Sequence, residues 1–252
     1  MARISYDEQT AAAFKAVREV PRDGLSEWRE AVRRHLRPAQ RMTLVDIGAG
    51  TGAFAAAFTD WFGLRVLAVE PSAAMRDRIP RTPAIKMLEG DAGALPLPDE
   101  SADAAWLSLV IHHIADLGVA AREIRRVLRP GAPVLIRQGF PGRLDGVELV
   151  HWFPETARTA ETFPSLEETC KAFAGAGFQP EALEQVRETY PTRLADFLGQ
   201  VDTLRRADTT MRGLTDDEFL RGKERLRCAM RHSEDAASLE PRSNWLDRLV
   251  LR

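Results

Sequence analysis

Short apolar runs, each followed by a turn and then a stretch of helical spacing, recur through the first 137 residues. The runs at 42–47, 64–69, 84–88, 103–109 and 133–136 are too short for buried helices and are bounded by Gly, Pro or Asp, so they predict buried strands. Between them, 53–62 has helical composition, and Ser72 can cap a helix running to about Arg78. Residues 116–128 place Leu117, Ala120, Ala121, Ile124, Val127 and Leu128 on one helical face, ending at Pro130-Gly131. Two further helices, 7–20 and 25–36, precede the first strand, separated by Pro21-Arg22-Asp23-Gly24. Strand–helix alternation with short connections predicts a doubly wound α/β fold, a mostly parallel sheet with helices on both faces.

Beyond residue 138 the pattern loosens. Gly139, Pro141, Gly142, Pro154 and Pro164 break residues 139–164 into a loop with a short helix near 147–152. Ser165 is placed to cap a helix over 165–176, with Gly177 just past it. A strand is expected within 178–188, amphipathic helices over 191–206 and 215–231, and an edge strand in the tail from Trp245 to Arg252. The domain reading is therefore N-terminal helices (1–40), an α/β core (41–138), and the rest of the sheet with cap insertions at about 139–164 and 190–235 (139–252).

The stretch Asp46-Ile47-Gly48-Ala49-Gly50-Thr51-Gly52-Ala53 turns the first strand into a helix through glycines, which let a backbone approach a ligand closely. Two ligand classes fit this pattern. Gly48, Gly50 and Ala53 satisfy the dinucleotide fingerprint, with Glu70 where a ribose-binding acid would sit. Asp46, however, suits a cationic ligand and burdens an anionic pyrophosphate, although it can equally serve as a simple cap on the loop.

Over residues 44–136 the chain resembles the class I S-adenosylmethionine-dependent methyltransferases, in particular the ubiquinone/menaquinone biosynthesis methyltransferase-like set. Asp46-Ile47-Gly48-Ala49-Gly50-Thr51-Gly52 is similar to the family's first motif. Glu70 matches its ribose-binding acid, and Glu89-Gly90-Asp91-Ala92 followed by Leu95-Pro96-Leu97-Pro98 resembles its adenine-side motif. The segment 122–131, Arg-Glu-Ile-Arg-Arg-Val-Leu-Arg-Pro-Gly, resembles the helix and turn before the fifth strand. Two positions depart from the pattern: Ser101-Ala102 lacks the usual aromatic before Asp103, and Gly131-Ala132 replaces a double glycine. The resemblance implies a seven-stranded Rossmann-like methyltransferase fold with a helical cap. It also implies S-adenosylmethionine as cofactor, held by Asp46, Gly48, Ala49, Gly50, Gly52, Glu70, Pro71, Asp91, Ala92 and Ser108. Tyr6 and Arg18 would join them from an N-terminal helix that closes over the cofactor.

Ligands of open α/β sheets sit beyond the carboxyl ends of the strands. His112 and His113 leave the fourth strand there and are the candidate general bases, because imidazole titrates near neutrality. Adjacent residues are not expected to share one pocket. His151, Trp152 and Tyr190, in the variable insertions, are candidates for acceptor contact, though aromatic clusters also pack small cores. The formal net charge of -2 gives no overall pull toward nucleic acid or anionic membrane. The fourth strand runs into Ser-Leu-Val-Ile, not the Asn-Pro-Pro-Tyr type motif of base-methylating enzymes. The two cysteines, Cys170 and Cys228, form no metal-ligand spacing and read as free thiols, and no metal site is expected. With no apolar leader and no run of about 20 apolar residues, a cytoplasmic enzyme with a small-molecule acceptor, monomeric or homodimeric, is expected. The rival readings are an NAD(P)-dependent oxidoreductase and a noncatalytic S-adenosylmethionine-binding protein.

Overall fold

Strand β1 (Thr43–Ile47) is buried at every position, so its side chains must be matched by packing on both faces of the sheet. In the computed structural model, which describes residues 6–18, 25–144, 147–188, 193–232 and 242–251, that requirement organises the whole domain. β1 pairs in parallel with β2 (Arg65–Val69) on one side and β4 (Ala104–Ser108) on the other. β3 (Ile85–Leu88) and β5 (Pro133–Gln138) extend the parallel set. β6 (Phe178–Glu188) and β7 (Arg242–Leu251) complete seven strands in the order β3-β2-β1-β4-β5-β7-β6, both of their pairings antiparallel.

Between and around the strands run helices α1 (Glu8–Arg18), α2 (Ser26–Leu36), α3 (Ala53–Phe62), α4 (Ala73–Arg76), α5 (Leu117–Val127), α6 (Glu148–Trp152), α7 (Ala157–Ala160), α8 (Leu166–Ala174), α9 (Leu194–Ala207), α10 (Thr209–Arg212) and α11 (Asp216–His232). The period-two alternation of the strands divides the core. Val45, Ile47, Ala105, Leu107, Val134 and Ile136 face α5 and α8. Leu44, Ala104, Trp106 and Leu135 face α2 and α3, where Trp28, Phe54, Phe58 and Trp106 form edge-on and tilted ring pairs 4.8–6.3 Å apart.

A third, smaller core lies in the cap, where Phe153, Phe197, Val201, Leu204, Met211 and Phe219 pack together. Here α11 passes so close to Phe153 that a Cβ on Gly222 would stand 2.1 Å from its ring. α1 packs along α9 of this cap and also touches α4. The N-terminal helix therefore bridges the cap and the carboxyl edge of the sheet.

The capping expected at Ser72 and Ser165 is present; Ser165 and Glu168 form a reciprocal capping box. One expectation fails. The tail does not form an edge strand: β7 lies between β5 and β6, and β6 is the edge. The reason is that it finds hydrogen-bond partners along both edges, β5 on one side and the whole length of β6 on the other, which leaves β6 with one partner. Among the described residues, no helix is long and apolar enough to cross a membrane.

Trp106 is fully buried and its indole N–H has no hydrogen-bond partner. Trp106→Ala is expected to cost about 3–5 kcal/mol through the cavity it leaves. Trp106→Phe is expected to cost under about 1.5 kcal/mol, because it keeps most of the ring contact and removes an unpaired donor. Urea unfolding of both variants measures the difference.

Candidate functional site

The strand order reverses between β1 and β4, and the chain leaves both strands at the same edge. At this switch point a cleft of about 840 Å³ opens, where open α/β sheets place their ligands. Its floor is the loop after β1. Gly48 has φ +70°, and a Cβ there would meet Val110 of the neighbouring loop at 2.4 Å. Only glycine fits this turn.

The loop spends its own amides. Gly48 and Ala49 both donate to the Val69 carbonyl, at 2.8 and 3.1 Å, and Gly52 donates to the Ala49 carbonyl at 2.9 Å. Gly50 donates to Glu70 Oε2 at 2.9 Å, while Ser72 N–H donates to Glu70 Oε1, also at 2.9 Å. The Glu70 carboxylate is thereby pinned at the end of β2. Its burial raises its pKa above the usual carboxylate value, partly offset by those two amides and by Arg76.

Asp46 lies behind the loop, on the α2-facing side of β1. It is 2% exposed, and its Oδ2 has no hydrogen-bond partner among the described residues. Burial pushes its carboxyl up to about 8, and the nearby Glu70 adds to the rise. An unpaired carboxylate in such a place is costly, so burial favours the protonated acid.

The opposite wall carries the histidines. Both His112 and His113 line the cleft, contrary to the expectation that neighbours face apart. They sit on a tight 3-10 turn, Ile111–His113, whose residues are spaced closer to 120° than the 180° of a strand. Their rings lie 4.2 Å apart. His112 is buried, stacked on Phe163 at 4.2 Å, with Nδ1 3.3 Å from Gln138 Nε2. His113 Nε2 is 3.4 Å from the Tyr6 hydroxyl. Tyr6 is tied down in turn, because its carbonyl accepts the Ser72 hydroxyl at 2.9 Å.

Asp46, Gly48, Ala49, Gly50, Glu70, Pro71, Ser108 and Tyr6 thus share the cleft with the two histidines. Gly52, Asp91, Ala92, His151 and Trp152, also expected at the site, do not line it, and the side chains of Arg18 and Tyr190 lie outside what the structure describes. Gly52 turns away, packed against Ile79 and Pro80. Asp91 is exposed and accepts the Gly93 amide at 2.7 Å, and Ala92 is buried in the core beside α5. Arg18 is the last residue of α1, and Tyr190 lies outside the described residues. His151 is exposed on α6, and Trp152 packs against the cap core. The helix presents Leu149, which also packs against that core, to the cleft in their place.

The sequence reading missed Arg137, Gln138, Phe163, Phe197 and Gln200, all of which line the cleft. Arg137 donates to Ser108 Oγ at 3.3 Å and lies over Trp28, 4.8 Å from the ring centre. For Arg137 and Gln138 a signal existed. They end β5 at the carboxyl edge, by the same rule that singled out the histidines. The cap residues carried no such signal.

Comparison with known proteins agrees with this geometry. Residues 45–136 match the family described as Methyltransferase domain. The chain is 34% identical over 149 residues to malonyl-[acyl-carrier protein] O-methyltransferase of Yersinia pestis, covering 56% of this chain and 55% of that protein. It therefore spans about half the length of that relative. It is 31% identical over 174 residues to demethylmenaquinone methyltransferase of Roseiflexus sp. (strain RS-1), covering 64% of this chain and 71% of that protein. In fold it is similar to a putative methyltransferase from an antibiotic biosynthesis pathway of Anabaena variabilis ATCC 29413. That match has a TM-score of 0.70 at 22% identity, over 89% of this chain and 96% of the other.

Because the folded Asp46 carboxyl sits at about 8 against an ordinary 3.8, folding takes up a proton between those values. Its contribution is fully present below about pH 4 and is lost as pH rises toward 8. Asp46→Asn removes this dependence. In urea unfolding of the ligand-free protein, the variant is expected to gain stability relative to wild type between pH 5 and pH 8. A constant difference would contradict the assignment.

Proposed function

Since the chain belongs to the class I S-adenosylmethionine-dependent methyltransferases, we propose that it transfers a methyl group from S-adenosylmethionine to an O, N or C atom of a small, partly apolar metabolite. The observation that carries the choice of ligand is the pair of buried acids, Asp46 and Glu70, behind a loop in which the amides of all three glycines and of Ala49 are already engaged. A dinucleotide needs bare N–H groups for its pyrophosphate, and Gly48, Ala49, Gly50 and Gly52 have spent theirs. A ligand carrying a sulfonium and an ammonium needs negative charge, which Asp46 Oδ2 can provide without giving up any existing hydrogen bond. The pinned Glu70 carboxylate suits a pair of ribose hydroxyls. The residues therefore fit S-adenosylmethionine better than NAD(P), the rival reading of the same glycines.

When bound, the cofactor supplies an activated methyl on a positively charged sulfur, which leaves as a neutral thioether. The protein then has to align the acceptor, exclude water and, for a hydroxyl or amine acceptor, take a proton. Alignment falls to the apolar wall formed by Leu149, Phe163, Phe197 and Leu204, which favours an acceptor with an apolar body. Proton removal falls to the His112–His113 pair. Closure falls to Tyr6 and α1, held by Ser72 and by the Arg78–Glu8 ion pair at 2.9 Å. The two curated relatives named above methylate, by their names, a carrier-bound malonyl group and a demethylmenaquinone. We place the acceptor in the same broad class of small metabolites, and the enzyme in the cytoplasm.

Thermal unfolding with S-adenosylhomocysteine, NADH and NADPH tests the reading. At a hundred times its dissociation constant S-adenosylhomocysteine should stabilise the fold by about 2.7 kcal/mol, and the nicotinamides should not. A shift with NADH or NADPH alone would overturn it.

A cationic ligand beside Asp46 must also expel its proton. Calorimetric titration of S-adenosylhomocysteine, whose ammonium is retained, in buffers of different ionisation enthalpy is expected to show release of up to about one proton at pH 7. Asp46→Asn should abolish the release and weaken binding.

A further inference from the structure

The two histidines are not equivalent, and the residue that separates them is Gln138. It ends β5, is 1% exposed, and lines the cleft beside His112. Its side-chain nitrogen lies 3.3 Å from His112 Nδ1 and 3.3 Å from the Gly139 carbonyl oxygen. The carbonyl decides which way the amide points. A carbonyl oxygen can only accept, so the group facing it must be the amide NH₂. Turning the amide over would set oxygen against oxygen and bury two N–H donors where Oε1 now lies, a place without a partner among the described residues. A single buried acceptor is left unsatisfied in the observed orientation, which is the smaller cost.

Once the NH₂ is fixed, the protonation of His112 follows. One N–H goes to Gly139 and the other points at Nδ1, so Nδ1 must offer a lone pair. A neutral imidazole has one N–H, and here it is on Nε2. Protonating the ring would place an N–H on Nδ1, facing the amide N–H. His112 is thus held neutral.

We propose that Gln138 is a positioning residue that locks His112 as the neutral Nε2–H tautomer, so that His112 acts as a hydrogen-bond donor and not as a base. The base is then His113, whose Nε2 faces the Tyr6 hydroxyl. A group that receives a hydrogen bond from His112 must carry a lone pair, on oxygen or on nitrogen. The methyl acceptor is accordingly a molecule with a hydrogen-bond-accepting atom (a carbonyl, enolate, phenolate or carboxylate oxygen, or an unprotonated nitrogen) anchored through that atom on His112. The assignment deepens the methyltransferase reading and rests on it for the word acceptor, but the tautomer itself does not depend on it.

Long-range ¹H–¹⁵N correlation spectra of the histidine rings in the S-adenosylhomocysteine complex test the proposal, with His112→Gln and His113→Gln identifying the signals. His112 is expected to show an unprotonated Nδ1 and a protonated Nε2 throughout pH 6–8. In Gln138→Glu the carboxylate can only accept from Nδ1, so the same spectrum should show a proton on Nδ1. Gln138→Leu, which offers neither donor nor acceptor, should allow His112 to titrate. All three Gln138 forms should still bind S-adenosylhomocysteine, since the side-chain hydrogen bonds of Gln138 go to His112 and Gly139 and not to residues assigned to the cofactor. A protonated Nδ1 in the wild type, or a tautomer indifferent to Gln138→Glu, overturns the proposal. Failure of the wild type to bind S-adenosylhomocysteine overturns the cofactor reading instead, and the tautomer can still be read from the ligand-free protein.

Discussion

The molecule is organised around two carboxyl groups buried at the ends of neighbouring strands. Asp46 lies at the carboxyl end of a strand enclosed on both faces, and Glu70 ends the neighbouring strand. Burying a carboxyl in this way opposes folding, so both groups hold protons more tightly than they would in water. The large cores on either side of the sheet supply the stability that makes such a site tolerable. Asp46 Oδ2 has no hydrogen-bond partner among the described residues, and a cation is the compensation that the proposed cofactor would bring.

Glu70 shows how the same chemistry is made specific. Its two oxygens take the Gly50 and Ser72 amides, which fixes the carboxylate. The glycine loop of this chain thus looks like a dinucleotide loop in sequence while the amides of Gly48, Ala49, Gly50 and Gly52 are bonded within the protein. Tyr6 joins the N-terminal segment to this machinery through the Ser72 hydroxyl and through the ring of His113. Cofactor loop, lid and candidate base are therefore mechanically connected, by contacts that span more than a hundred residues of sequence.

The cap answers a different demand. Its core of Phe153, Phe197, Leu204 and Phe219 is separate from the two that enclose the sheet, and it turns an apolar wall toward the cleft. An acceptor with an apolar body, as proposed, would be met there by shape and hydrophobic contact.

Much of this was legible in the chain. The apolar runs, the glycine loop and the acid at Glu70 depend on local rules, namely strand burial, backbone freedom and the spacing of one βαβ unit, so they can be read from neighbours in sequence. Helix α3 falls where its composition placed it, and Ser72 and Ser165 cap as their positions require. What the tertiary structure alone decided involves residues brought together across the sheet. β7 inserts between β5 and β6 because both its edges find partners in strands far from it in sequence, which no local pattern near the end of the chain reveals. Asp91 turns to its own loop, and α6 gives the cleft Leu149 in place of His151, because packing chose the face. Gln138 and His112 are 26 residues apart, and only their meeting decides which nitrogen holds the proton.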